Sequence, residues 1–291
     1  MVKLFEILNF LKVKNKTYNN LVISKPSSII PGKKNSISFI QKIDDTFDVK
    51  IKNTKSLIIV IPKSNKNFKS DNKILIAVEN PRLEFCKIIE SFFNQYNQNY
   101  FNSDSTIHSD AKISKNVSIG PFSYIGKSII KENVVIHPNV TIFDNVTIKE
   151  NSIIGAGSVI GSEGFGFQRD KDSIQRFIHI GGVKIGKNVR IGSNNSIDRG
   201  ALENTIIKNN VKIDNNVHIA HNCIIEEATM IAAGTTLSGS VKIGKNTWIG
   251  TGVTIRDHIK IGKDAFIGVG SVVVKNVQNN QMVYGVPAKK R

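Results

Sequence analysis

Branched aliphatic residues recur every six positions through most of this chain. Positions 207, 213, 219, 225, 231, 237, 243, 249, 255, 261, 267 and 273 carry Ile at ten sites, Leu at 237 and Val at 273. The same spacing runs through Ile107, Ile113, Ile119 and Ile125. After one dropped residue it resumes at Ile130 and continues through Ile136, Ile142, Ile148 and Ile154 to Ile160. Neither an amphipathic helix nor an alternating strand has this period. A triangular solenoid does: each hexapeptide makes one short strand and one corner, and three complete a turn of eighteen residues. Small or β-branched residues stand two positions before many of the aliphatics, as at Val211, Val217, Cys223, Thr229, Thr235 and Val241. The expected fold is therefore a left-handed parallel β-helix. Residues eighteen apart stack at strand spacing, about 4.8 Å, along a core that is nearly one-dimensional.

Two segments break the count. GSEGFGFQRDKDSIQRFIH (161–179) brings aromatics, glycines and charges, and SIDRGALENT (196–205) throws the period out of register. A solenoid accepts insertions at its corners, so both are expected to protrude as loops, where function concentrates. Residues 1–102 lack the period. SISFI, SLIIVI and KILIAV read as strands, and ENPRLEFCKIIESFF as a helix with Asn80 at the N-cap and Pro81 at the first position. This predicts a small α/β domain over 1–102. The polar linker NQYNQNYFNSDS leads from it into a β-helix domain over 103–291.

The net charge is +17, but only 7 of the 40 basic residues are Arg. Arg is the usual reader of bases and the usual bidentate partner of phosphate, so no nucleic-acid partner is expected. An acidic protein partner fits the charge, and so does a genome bias toward Lys and Asn. No apolar run approaches the ~18 residues of a membrane span, and MVKLFEILNFLKVK does not read as a secretion signal. A cytoplasmic protein without stable membrane insertion is expected. Two cysteines, Cys86 and Cys223, make no disulfide framework and no Cys-rich zinc site. Cys223 falls in the inward series and reads as a core thiol.

Of the six histidines, His221 lies two residues after the inward Ile219, outside the inward series. Gly239 occupies the same place one turn on. An imidazole and a backbone amide so related could serve as base and oxyanion donor. Asp214, seven residues before His221, is a candidate carboxylate to orient the ring. A surface histidine is the simpler reading of the same spacing. A three-histidine metal site would need a third ligand beside His221 and His258, and none stands out, so no metal is expected.

GSEGFGF (161–167), SIDRGALENTII (196–207), IDNNVHIAHN (213–222) and AAGTTLSGS (232–240), in this order and spacing, resemble the UDP-3-O-acylglucosamine N-acyltransferases of lipid A synthesis. The resemblance covers nearly the whole chain. It implies His221 as catalytic base, Asp214 as its acidic assistant and Gly239 as backbone oxyanion donor. It further implies Asn215 beside the pantetheine arm, His258 in the nucleotide-sugar cleft, and Phe39 as the aromatic of a uracil pocket in the N-terminal domain. The family is trimeric, with active sites between subunits. The donor is an acyl carrier protein thioester, the acceptor a UDP-sugar amine, and no cofactor is required. Two departures accompany the likeness. Lys42 and Asp45 stand where the family usually has Asn and an aromatic. The chain also closes at GVPAKKR, where the family typically continues into helices that engage the carrier. Docking is then expected to depend on the Lys-rich edge of the β-helix. An acetyl-CoA-dependent N-acetyltransferase of a nucleotide amino sugar and a non-catalytic β-helix scaffold are the alternatives.

Overall fold

The computed structural model describes residues 1–13, 21–64, 68, 70, 72–94 and 104–290. The chain divides into two units, Met1–Asn97 and Gln98–Arg291, each with its own core. The domain boundary expected at 102 and most of the polar linker fall within 95–103, outside the described residues.

The larger unit is the expected parallel β-helix. Its strands, most of them two residues long, stack into three sheets of nine, eight and ten strands. Each sheet is parallel except at one edge of the ten-stranded face, where Met282–Tyr284 pairs antiparallel with Lys289–Lys290. The aliphatic columns stack in register. Ile219 lies on Leu237 and Ile255 on Val273 in the nine-stranded face. Ile207 lies on Ile225 in the eight-stranded face, and Ile213 on Ile231 in the ten-stranded face. From Ile207 to Val273, no member of the series is more than 3% exposed. Each such side chain contributes about 1.5–3 kcal/mol by leaving water, and the ladder between turns satisfies the backbone. The columns are less covered at one end, where Ile107 is exposed and Ile113 half-buried.

The corners account for part of the Asn content. Asn133, Asn139, Asn145, Asn151, Asn188, Asn194, Asn210, Asn216, Asn222 and Asn246 all sit at φ between 55° and 62°. This left-handed region is costly for most side chains and tolerated by Asn. Some corner Asn side chains also bond to the next turn, as Asn133 Nδ2 donates to Asn151 Oδ1 at 3.1 Å.

The first insertion carries an antiparallel hairpin, Phe167–Arg169 with Ile174–Arg176, whose residues are exposed. The second is narrower than the register break suggested. Ser196–Asp198 is a strand of the nine-stranded face and Thr205–Ile207 a strand of the eight-stranded face, leaving 199–204 as the excursion. The period broke at 196 because the corner gained residues, while both flanking strands kept their pairing.

The smaller unit is α/β. Lys25–Pro26, Ser36–Phe39, Ile58–Pro62 and Ile74–Val78 form a parallel four-stranded sheet in that order. The helix Pro81–Ile88 starts as predicted, with Asn80 Oδ1 accepting the Leu83 N–H at 3.2 Å, and it runs on as a π-helical turn, Ile89–Phe93. Phe85 and Ile88 bury its inner face. Among the described residues no helix is long and apolar enough to cross a membrane.

Candidate active site

The β-helix places the candidate residues by corner. His221 and Asn222 turn the chain from the nine-stranded to the eight-stranded face. Gly239 and Ser240 occupy the same corner one turn later, and Asp257 and His258 one turn after that. The backbone locks this column: Ser240 N–H donates to His221 O at 2.9 Å and His258 N–H to Gly239 O at 3.0 Å. His221, Gly239 and His258 are thus brought together. Asp214 and Asn215 follow Lys212–Ile213 on the ten-stranded face, so a full face of the prism separates them from His221 in one chain. Both are exposed. Asp214 Oδ1 accepts the Asn215 N–H at 2.8 Å, and Asn215 Oδ1 accepts the Ser193 N–H at 2.7 Å. Phe39 belongs to the smaller unit, where its ring packs 4.8 Å from that of Phe85.

His221 is half-buried and faces Gly239 at close range. A Cβ added at Gly239 would lie 2.7 Å from His221 Cε1 and 2.8 Å from Nε2. Only glycine fits against the ring, and the reactive edge of the imidazole therefore meets bare backbone. The Gly239 amide has no acceptor among the described residues. Ring nitrogen Nδ1 lies 3.0 Å from Asn222 Oδ1, whereas Nε2 has no hydrogen-bond partner among the described residues.

The sequence reading missed three neighbours of this ring. His179 closes the first insertion, is 3% exposed, and sets its imidazole 5.0 Å from that of His221. Its Nδ1 accepts the Gly164 N–H at 2.9 Å, so its proton sits on Nε2 when neutral. Burial, then the nearby His221, hold its pKa below the ordinary histidine value. Gly164 is needed for this cover, since a Cβ there would lie 2.8 Å from His179 and 2.9 Å from His221. Asp198, 5% exposed, accepts a hydrogen bond from Ser162 Oγ at 3.0 Å and lies 3.8 Å from His218 Nε2. Burial pushes its carboxyl above the usual range, against the pull of His218 and the Ser162 bond. Asn222 is the third. All three lie in stretches the sequence singled out, but the hexad spacing marks strands and corners and does not report which loop folds over which corner.

Cys223 is buried, donates to Ser238 O at 3.3 Å, and its thiol is pushed up to about 12 by burial. That suits a core thiol and not a nucleophile. Beside the His221 corner runs a groove of about 680 Å³, lined by His258, Asn222 and Ser240 and by the lysine column Lys184, Lys242 and Lys260. Among the described residues no three His, Cys, Asp or Glu side chains are arranged to hold a metal.

The chain matches the family model for the bacterial transferase hexapeptide (six repeats) at residues 127–162, 204–239 and 240–275. It also matches that for the hexapeptide repeat of succinyl-transferase at 182–220. It is similar to a UDP-3-O-acylglucosamine N-acyltransferase of Acinetobacter baylyi, 39% identical over 237 residues, 75% of this chain and 66% of that protein. A Rickettsia akari protein of the same name is 42% identical over 126 residues, 43% of this chain and 36% of its own. The chain thus spans just under two thirds of the first relative's length and less of the second's. Among solved structures, a UDP-N-acetylglucosamine O-acyltransferase from Moraxella catarrhalis superposes with a TM-score of 0.60 at 27% identity, covering 65% of this chain and 72% of that one. The Francisella novicida UDP-N-acetylglucosamine acyltransferase gives 0.59 at 30% identity, covering 65% and 67%. The chain belongs to the hexapeptide-repeat transferases, on the branch of the UDP-3-O-acylglucosamine N-acyltransferases.

Proposed function

We propose that this protein transfers a 3-hydroxyacyl chain from an acyl carrier protein thioester to the 2-amine of UDP-3-O-(3-hydroxyacyl)glucosamine, as in lipid A synthesis. The observation that carries the reading is the pairing of His221 Nε2 with the bare Gly239 backbone one turn above it. The acceptor amine attacks the thioester carbonyl, and the proton it sheds passes to His221 Nε2. The Gly239 N–H holds the oxyanion of the tetrahedral intermediate, a contribution of about 3 kcal/mol when such a donor is well aimed. Collapse breaks the C–S bond, and the imidazolium returns the proton to the departing thiolate. No acyl-enzyme forms, in keeping with the high thiol pKa of Cys223.

The lysine column beside His258 supports a phosphate-bearing substrate and an acidic carrier. The working assembly is a homotrimer with active sites between subunits. Asp214 and His221, a full face apart in one chain, would then meet only when two copies each supply a corner. Phe39 stacks the uracil, Asn215 lines the pantetheine arm, and the protein acts in the cytoplasm. The test is to incubate the protein with UDP-3-O-(3-hydroxyacyl)glucosamine and 3-hydroxyacyl carrier protein and to follow product mass. A diacylated nucleotide sugar is expected. Turnover with acetyl-CoA and a UDP-amino sugar instead would reassign the chain to the acetyltransferases, and no turnover with either would leave a scaffold.

A further inference from the structure

We infer that Asn222 is a positioning residue that fixes the tautomer of His221, and that the 199–204 excursion holds Asn222 in place to do so; the catalytic meaning rests on the acyltransferase reading above. The side-chain oxygen of Asn222 accepts the Ala201 N–H at 3.0 Å. A backbone N–H is only a donor, so the atom it meets must be the amide oxygen, and this settles the orientation of the Asn222 amide. The same oxygen lies 3.0 Å from His221 Nδ1. An oxygen that only accepts requires Nδ1 to donate, so the neutral ring carries its proton on Nδ1. The lone pair is then on Nε2, the nitrogen that faces Gly239 and has no partner among the described residues. That is the state a base must occupy before it takes a proton.

Asn222 is itself clamped. Its N–H donates to Thr205 Oγ1 at 2.9 Å, and its φ of 60° is one that Asn adopts readily. Ala201 lies within the excursion and Thr205 directly after it, and Arg199 ties its start to the first insertion, Nε donating to Gly161 O at 2.7 Å. The four extra residues that lengthen this turn from 18 to 22 thus deliver two anchors to one side chain. Within a single chain the partner of the His221 ring is a neutral amide, and Asp214 lies on another corner.

The test separates tautomer from turnover. In the full-length protein with 15N-labelled histidine, His221 is expected to show a protonated Nδ1 and a bare Nε2 at a pH where the ring is neutral. Asn222→Gly keeps the corner backbone free of strain and removes the acceptor; it should shift the ring toward the Nε2–H form and lower kcat by about tenfold or more, with KM little changed. Asn222→Asp keeps the acceptor and adds charge. It should retain the Nδ1–H form and move the acid limb of the pH–rate profile upward, because a carboxylate beside the imidazole favours its protonated state. A wild-type ring protonated on Nε2, or an Asn222→Gly protein with unchanged tautomer and kcat, overturns the proposal. A protein with the Nδ1–H ring that acylates nothing would keep the positioning role and sink the acyltransferase reading instead.

Discussion

Two corners of the same β-helix, one turning at Asp214–Asn216 and the next at His221–Asn222, are built by the same rule and end up with different chemistry. Each follows a buried isoleucine, and each holds an Asn in the left-handed region, Asn216 at φ 57° and Asn222 at φ 60°. The Asp214 corner is open: its side chains are exposed and bond backbone amides nearby. The His221 corner is covered. Gly164 and His179 from one insertion lie over the ring, and Ala201 from the other fastens Asn222. The repeat makes corners, and the insertions turn one of them into a site by removing water and fixing hydrogen bonds.

The contrast predicts that His221→Ala costs the most, about 10³-fold in kcat, the size expected for losing a general base. A loss of less than about tenfold would mean that this corner is no more catalytic than its neighbour. Next is Gly239→Ala, whose new Cβ falls inside contact distance of the ring. Displacing the imidazole from the oxyanion donor should cost about 10²-fold, while the melting temperature stays near that of the wild type because the corner faces outward. A mixing experiment then asks whether the open corner serves a second copy. Proteins carrying His221→Ala or Asp214→Ala, each impaired alone, are co-assembled. Recovery to about a quarter of wild-type activity is expected for random trimers with sites shared between copies. No recovery would keep Asp214 out of the site.

The smallest effect concerns acid. His179 has a pKa held below its unfolded value by burial. Protonation is therefore harder in the folded state, and the stability tied to the neutral ring is full above the ordinary histidine value of about 6.5. It is lost as pH falls through the lowered folded value. Melting temperature should fall across that window, and the fall should shrink in His179→Gln. An equal slope in both proteins would show that the cover over His221 does not depend on a neutral His179.

Much of this was legible in the residue order. A hexad of branched aliphatics has one economical way to leave water, so the β-helix followed from the spacing of Ile207 to Val273 alone. The Asn80 cap and Pro81 start of the helix were equally local. The stacking of His221 under Gly239 followed too, because eighteen residues is one turn. Spacing was silent where contacts come from insertions. Asp214 looked like a partner for His221 because seven residues is a short distance in sequence, yet in a triangular solenoid it spans a whole face.

The sequence by itself determined the period, and with it the core, the corners and which residues share a column, because these depend on local geometry repeated at fixed length. Only the tertiary structure decided that His179 covers His221, that Asp198 meets Ser162 and His218, and that Ala201 orients Asn222. Those contacts join residues up to 42 positions apart, through loops whose path no period sets. They are chosen by which buried polar group finds its hydrogen-bond partner as the loop folds back onto the helix.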